Sequence, residues 1–111
     1  MRIPVSQLIG SSVHNDRGED LGKIDDLLVD MNDGEIRYAV LSFGGLLGFR
    51  NKYVAVPLPL LQVSKEAGKC LLSESKAKLR QTPGFNKNAW PAYANSTQLD
   101  IVQRYNTFRS R

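Results

Sequence analysis

The sequence has few of the residues that cross-link or anchor a small protein. It contains one cysteine among 111 residues, so it cannot form an internal disulfide and nothing indicates an oxidising compartment. No apolar run approaches the ~20 residues that a membrane span needs. Residues 1–6 soon become polar and carry no signal-peptide core. These absences exclude a cystine-stapled secreted scaffold and a membrane-spanning protein. They favour a cytoplasmic location, with peripheral attachment to the inner membrane left open.

The residues that usually carry catalysis or bind metals are equally scarce. His14 is the only histidine, and Asp16 is the only acid close to it in the chain that could orient it. Cys70 lies in an apolar run, which indicates packing, although the preceding Lys69 would favour a reactive thiolate. One histidine and one cysteine cannot build a structural zinc site within one chain. We therefore predict no enzymatic activity, no catalytic residue, no cofactor and no metal site.

The composition is that of a single folded domain. A chain with 41% hydrophobic residues is too apolar for a disordered protein, and its length suffices for one buried core. The charges are distributed unevenly. Residues 1–35 carry eight acids and three bases, whereas residues 36–111 carry three acids and twelve bases. Such asymmetry can reflect complementary faces of one fold, a partner, or an anionic surface.

Turn signals divide residues 1–73 into short strands, which predicts an all-β fold. Asn32-Asp33-Gly34 is the strongest of these signals, and it joins residues 21–30 to residues 35–43 as a hairpin. The first of these strands changes its alternation near Asp25-Asp26, which predicts a β-bulge.

The remaining strands complete a small barrel. Gly18 stands where a tight turn needs a positive φ. Further strands are predicted at residues 53–57, 60–63 and 69–72, the last two forming a second hairpin. Five or six short strands with glycine turns indicate a small barrel.

Residues 74–111 form a C-terminal extension of a different character. One or two helical turns are predicted at residues 75–80, followed by Pro83 and Gly84. A second helix is predicted after Ser96, because apolar residues recur there at helical spacing. The extension has too few apolar residues for its own core and too many aromatics for a linker. We expect it to pack on the barrel or on a partner.

Two patterns resemble ligand sites but lack the required spacing. Residues 30–34 are too short for a calcium loop, and no glutamate stands at the closing position. The glycines at 44, 45 and 48 are not followed by a lysine–serine pair or a predicted helix, so they do not form a phosphate loop. Leu46 and Leu47 lie among these glycines, and two leucines in a solvent loop favour a docking role.

Several segments, in their order and spacing, resemble the PRC-barrel family. They are Leu8-Ile9-Gly10, Gly18-Glu19, residues 21–27, Asp30, Gly34, residues 39–48 and residues 52–57. The family is named after the cytoplasmic domain of the photosynthetic reaction-centre H subunit, and it includes the C-terminal domain of a ribosome maturation factor. Thr82-Pro83-Gly84-Phe85, Trp90-Pro91 and Tyr105 are similar to the extension of small stand-alone bacterial members.

The resemblance implies a compact six-stranded β-barrel over residues 1–73, followed by an extension of short helix and coil. It implies binding of macromolecular partners and no catalysis. We therefore expect a protein–protein interaction module, with a homodimer as the expected assembly and the cytoplasmic face of a membrane complex as a candidate location. The residues expected to dock the partner are apolar or aromatic, namely Leu46, Leu47, Phe49, Trp90, Tyr93, Tyr105 and Phe108.

Two other functions remain open from the sequence. The extension interleaves basic and aromatic residues, a mixture that also suits RNA or an anionic membrane surface. The first alternative is thus an RNA- or ribosome-associated maturation factor. The second is an accessory of electron or proton transfer resembling the photosynthetic reaction-centre subunit. We carry none of that subunit's proton-conducting positions over to this sequence.

Overall fold

Six strands form one curled sheet of half-barrel shape in the computed structural model, which describes residues 2–44, 51–64, 66, 68–82 and 84. The elements in chain order are α1 (Val5–Leu8), β1 (Ser12–His14), β2 (Asp20–Asp30), β3 (Glu35–Gly44), β4 (Asn51–Pro57), a 3-10 turn (Leu58–Leu60), β5 (Leu61–Val63), β6 (Lys69–Leu72) and α2 (Lys76–Gln81). The predicted all-β class is confirmed.

The sheet order is β4-β3-β2-β1-β6-β5. All neighbours are antiparallel except β1 and β6, which run parallel and pair Val13 with Cys70. This parallel pairing places the first strand of the chain next to the last one. Because it links residues 57 positions apart, no local pattern in the sequence indicates it.

The long β2–β3 hairpin follows the predicted turn. Asp30 pairs with Glu35 at its tip, and Gly34 there has a φ of 75°. The Gly34 amide donates to the Asp30 carbonyl at 2.7 Å. The Asp33 carboxylate accepts from the Glu35 amide at 2.9 Å. The turn residues therefore satisfy one another's backbone groups, as a stable hairpin requires.

The predicted bulge in β2 is also present. The register between β2 and β3 shifts between Ile24 and Asp26, so one extra residue lies on the β2 side. A second shift occurs between Leu28 and Val29. Because a bulge increases the twist of its strand, these irregularities help the sheet to curl.

The core fills the concave side of this curled sheet. Its largest fully buried side chains come from five strands and from both halves of the chain, namely Leu21, Ile24, Leu41, Val13, Val54 and Cys70. Leu79 of α2 belongs to the same cluster and is 3% exposed. The first helical segment of the extension thus contributes to the barrel core.

Candidate functional site

The seven residues predicted to dock a partner all lie outside the described residues. They fall in residues 45–50 and 85–111, namely Leu46, Leu47, Phe49, Trp90, Tyr93, Tyr105 and Phe108. The structure instead fixes the points at which these two segments join the barrel. The docking role of these residues stays a prediction.

The first attachment point is the end of the β3–β4 hairpin. The ladder pairs Phe43 with Lys52 and then Gly44 with Asn51. The described ladder of β3 and β4 therefore ends at this pair, and the two strands are antiparallel neighbours. Leu46 and Leu47 fall in the sequence between them.

The second attachment point is α2, which leads into the rest of the extension. Ser75 caps its N-terminus, and its hydroxyl accepts from the Lys78 amide at 3.0 Å. The Thr82 hydroxyl closes the other end by donating to the Lys78 carbonyl at 2.8 Å. The helix predicted at residues 75–80 is thus present as α2.

Lys52 connects the two attachment points. Its ammonium donates to the carbonyls of Leu79 at 3.1 Å and of Arg80 at 2.8 Å. A Cβ built on Gly84 would lie 2.5 Å from Cγ of Lys52, so the backbone at Gly84 packs on the lysine stem. Burial lowers the pKa of the Lys52 ammonium. The hairpin end and the start of the extension therefore meet at one corner of the barrel.

Asn15 contacts the chain just before the N-terminus of α2, and this contact was not predicted from the sequence. It is 4% exposed, and its amide donates to the Glu74 carbonyl at 3.0 Å and to the Glu19 carboxylate at 2.8 Å. Its side-chain oxygen accepts from the amides of Arg17 and Glu19. The bond from Asn15 also lowers the pKa of Glu19. The sequence predicted only a tight turn at Gly18, whose φ is 79°.

Cys70 is a packed residue rather than a reactive one. It is 1% exposed in the core, and burial raises the pKa of its thiol. A thiol with a raised pKa carries little thiolate, which is the nucleophilic form. His14, the other candidate, lies half-buried in β1, where its backbone neighbours are Asp20 and Leu71.

The acidic residues at the tip of the β2–β3 hairpin form ion pairs and hydrogen bonds within that hairpin. Arg37 forms ion pairs with Asp30 at 3.2 Å, with Glu35 at 3.6 Å, and with Asp33. The Glu35 amide, followed by the Arg37 guanidinium, lowers the pKa of Asp33. A cation already occupies the middle of this group, so the carboxylates have the contacts of a turn rather than of a metal site.

The described part of the chain contains no group of three or more histidine, cysteine or acidic side chains placed to hold a metal ion. None of its helices has the length and hydropathy that a membrane crossing requires.

A groove with apolar and polar lining residues is a further surface feature of the described residues. It lies between α1, β5 and β6, and its apolar walls include Ile3, Leu8 and Val63. Val63 and Leu71 are 42% and 40% exposed. This groove could not be predicted from the sequence, because it forms between segments that are distant along the chain.

Comparison with known proteins agrees with the architecture. The family model of the PRC-barrel domain matches residues 1–79. The chain belongs to the PRC-barrel family, and the matched region extends through Leu79, whose side chain completes the core. A search of curated proteins finds no relative that matches the chain.

Proposed function

We propose that this protein is a non-enzymatic interaction module that binds a protein partner through the β3–β4 connection together with the extension. The observation that carries the proposal is the ladder that ends at Gly44 and Asn51. It attaches a six-residue connection containing Leu46, Leu47 and Phe49 at the end of a rigid hairpin. Apolar side chains held on a rigid scaffold at a hairpin end are suited to docking.

The corner at Lys52 supports a joint role for the connection and the extension. Lys52 follows the connection directly in β4 and also binds the end of α2. The described backbone at Gly84 therefore lies beside Lys52, one residue from the end of the β3–β4 ladder. A partner that contacts one segment can reach the other without a change in the barrel.

The chemistry of the described residues favours binding over catalysis. Cys70, the sole cysteine, is buried, and burial raises the pKa of its thiol. The buried side-chain polar atoms of the described residues all have hydrogen-bond partners. An active site usually keeps some polar groups poised for a substrate. Here the polar side chains of Asn15, Ser75 and Thr82 are used to hold turns and the helix.

The partner in this proposal is a protein, and a second copy of the chain is one such partner. The location that fits is the cytoplasm, including the surface of a membrane complex at the inner membrane. An RNA partner is the competing outcome, because residues 36–111 carry twelve bases and three acids.

The experiment is affinity capture with the full chain from native lysate, followed by titration of the recovered protein against purified variants. Leu46→Ser combined with Leu47→Ser should weaken binding at least tenfold, since two apolar anchors are lost. Val63→Ser combined with Leu71→Ser is the matched control, because it removes two apolar residues exposed elsewhere. Equal losses in both double variants, or no loss in the first, would overturn the proposal.

A further inference from the structure

The half-barrel has an open side, and α2 covers it. The sheet order begins with β4 and ends with β5, so within the described residues each of these strands pairs on one side only. Residues of α2 and β4 face each other across a narrow cavity whose apolar lining includes Val54, Val56, Leu72 and Leu79. Covering a sheet edge with a helix is one way in which proteins prevent pairing with other chains.

A buried leucine and hydrogen bonds at both ends hold this cover in place. We define the strap as residues 74–82, which contain α2. Leu79 is the only buried residue of α2. At its N-terminal end the Glu74 carbonyl accepts from the Asn15 amide, and the Lys76 amide donates to the Glu19 carboxylate. At its C-terminal end it accepts two bonds from Lys52, to the carbonyls of Leu79 and Arg80.

The two bonds from Lys52 suit the end of a helix. The last carbonyls of a helix have no partner within the helix and carry a partial negative charge. A lysine ammonium both satisfies those oxygens and complements their charge. Lys52 belongs to β4, whereas the carbonyls belong to α2, so this contact ties the strap to the barrel rather than stabilising the helix alone.

We propose that Lys52 is the anchor of a strap that opens as a local unit, exposing the β4 edge while the rest of the barrel stays folded. A short helical segment with one buried side chain has a lower opening free energy than the core strands. Lys52 acts as a positioning residue, because its ammonium and stem together fix the course of the chain from Leu79 to Gly84.

The two states of the strap differ at Lys52 and along β4. When closed, the strap holds Leu79, Arg80 and Gly84 against Lys52. When open, it releases these contacts and uncovers the apolar residues Val54, Ala55 and Val56. The consequence for docking rests on the proposed function, but the test below uses the protein without a partner. Its failure would therefore leave the proposed function standing.

The experiment measures amide hydrogen exchange of the full chain, with mass spectrometry of peptides that cover the strap and the β2–β3 hairpin. Lys52→Met keeps most of the stem and removes the ammonium. It should speed exchange in the strap by about five- to tenfold, which corresponds to the loss of about one charge-assisted hydrogen bond. Exchange in the β2–β3 hairpin should not change.

Two further variants make the result specific. Lys69→Met removes an exposed lysine that is paired with Glu66 at 2.7 Å, and it should leave strap exchange unchanged. Lys52→Arg keeps the charge and should restore most of the protection. Unchanged strap exchange in Lys52→Met would show that Lys52 is not the anchor. Equally faster exchange in the strap and the hairpin would show that the strap opens only when the barrel unfolds, which also overturns the proposal.

Discussion

Gly22 of β2 packs against the backbone of Ser42 in β3 so closely that no side chain fits between them. A Cβ on Gly22 would overlap the carbonyl oxygen of Ser42, and Gly22 has a φ of 102°. The position also lies next to the contact of β1 with β2, where Val13 pairs with Gly22. Gly22 therefore allows β1, β2 and β3 to approach one another closely.

The Gly22→Ala substitution should consequently be severe. We expect a loss of about 2–4 kcal/mol in the free energy of unfolding, because both the positive φ and the clash with fixed backbone oppose the methyl group. Gly34→Ala is the matched control: φ is 75°, but nothing lies within 4 Å of the added Cβ. It should cost about 1 kcal/mol. Urea denaturation measures both, and equal losses would contradict this account of Gly22.

Asn15 should contribute more stability than its position in a turn suggests. Asn15→Ala removes the acceptor of two backbone amides and the donor to the Glu74 carbonyl. We expect a loss of about 2–3 kcal/mol, since several groups then lose their partner in a partly buried setting. Asn32→Ala, in the exposed hairpin turn, should change stability by less than about 0.5 kcal/mol. Similar thermal midpoints for the two variants would contradict the role assigned to Asn15.

Cys70 should be unreactive in the folded protein. Because its thiol is buried and burial raises its pKa, a thiol reagent at mildly alkaline pH should modify it only when the protein opens. The reaction should be at least about a hundredfold slower than in denaturant and should follow the opening rate. Rapid modification of the native chain, or any turnover that depends on Cys70 or His14, would contradict the non-enzymatic assignment.

The oligomeric state of the protein in solution tests the expected homodimer. Leu46, Leu47, Trp90 and the apolar positions of residues 99–108 amount to more apolar surface than a small barrel should leave in water. We expect light scattering to report a dimer, and the fluorescence of Trp90 to report a buried indole. A monomer whose extension moves freely in solution would contradict this expectation.

Local chemistry explains which parts of the fold the sequence could predict. The β2–β3 hairpin and its bulge were predictable because Asp33-Gly34 and the change of alternation at Asp25-Asp26 act within a few residues. The helix after Ser75 was predictable for the same reason. The parallel pairing of β1 with β6 was not, because its residues are far apart in the chain and each strand has only three or four residues.

The contacts around the candidate site could not be predicted from the sequence, for a related reason. Lys52 reads as an ordinary charged residue at the start of a strand, yet its ammonium binds carbonyls 27 and 28 positions away. Asn15 reads as a turn residue, yet its amide reaches Glu74. Both act on backbone oxygens, and a backbone oxygen has no sequence signature. Only the fold shows which one a side chain will reach.

Salt dependence of partner binding tests the central claim most directly. The claim is that the protein docks through apolar side chains, whereas contacts with phosphate groups or charged lipid weaken steeply as salt rises. The measurement is the dissociation constant of the full chain for its captured protein partner at about 0.15 M and about 0.5 M salt. At the higher concentration the Debye length is only ~4–5 Å. We predict a change of less than about threefold, since apolar burial is little affected by screening. Loss of binding at the higher salt, with no effect of Leu46→Ser and Leu47→Ser, would contradict the account and favour an RNA or membrane partner.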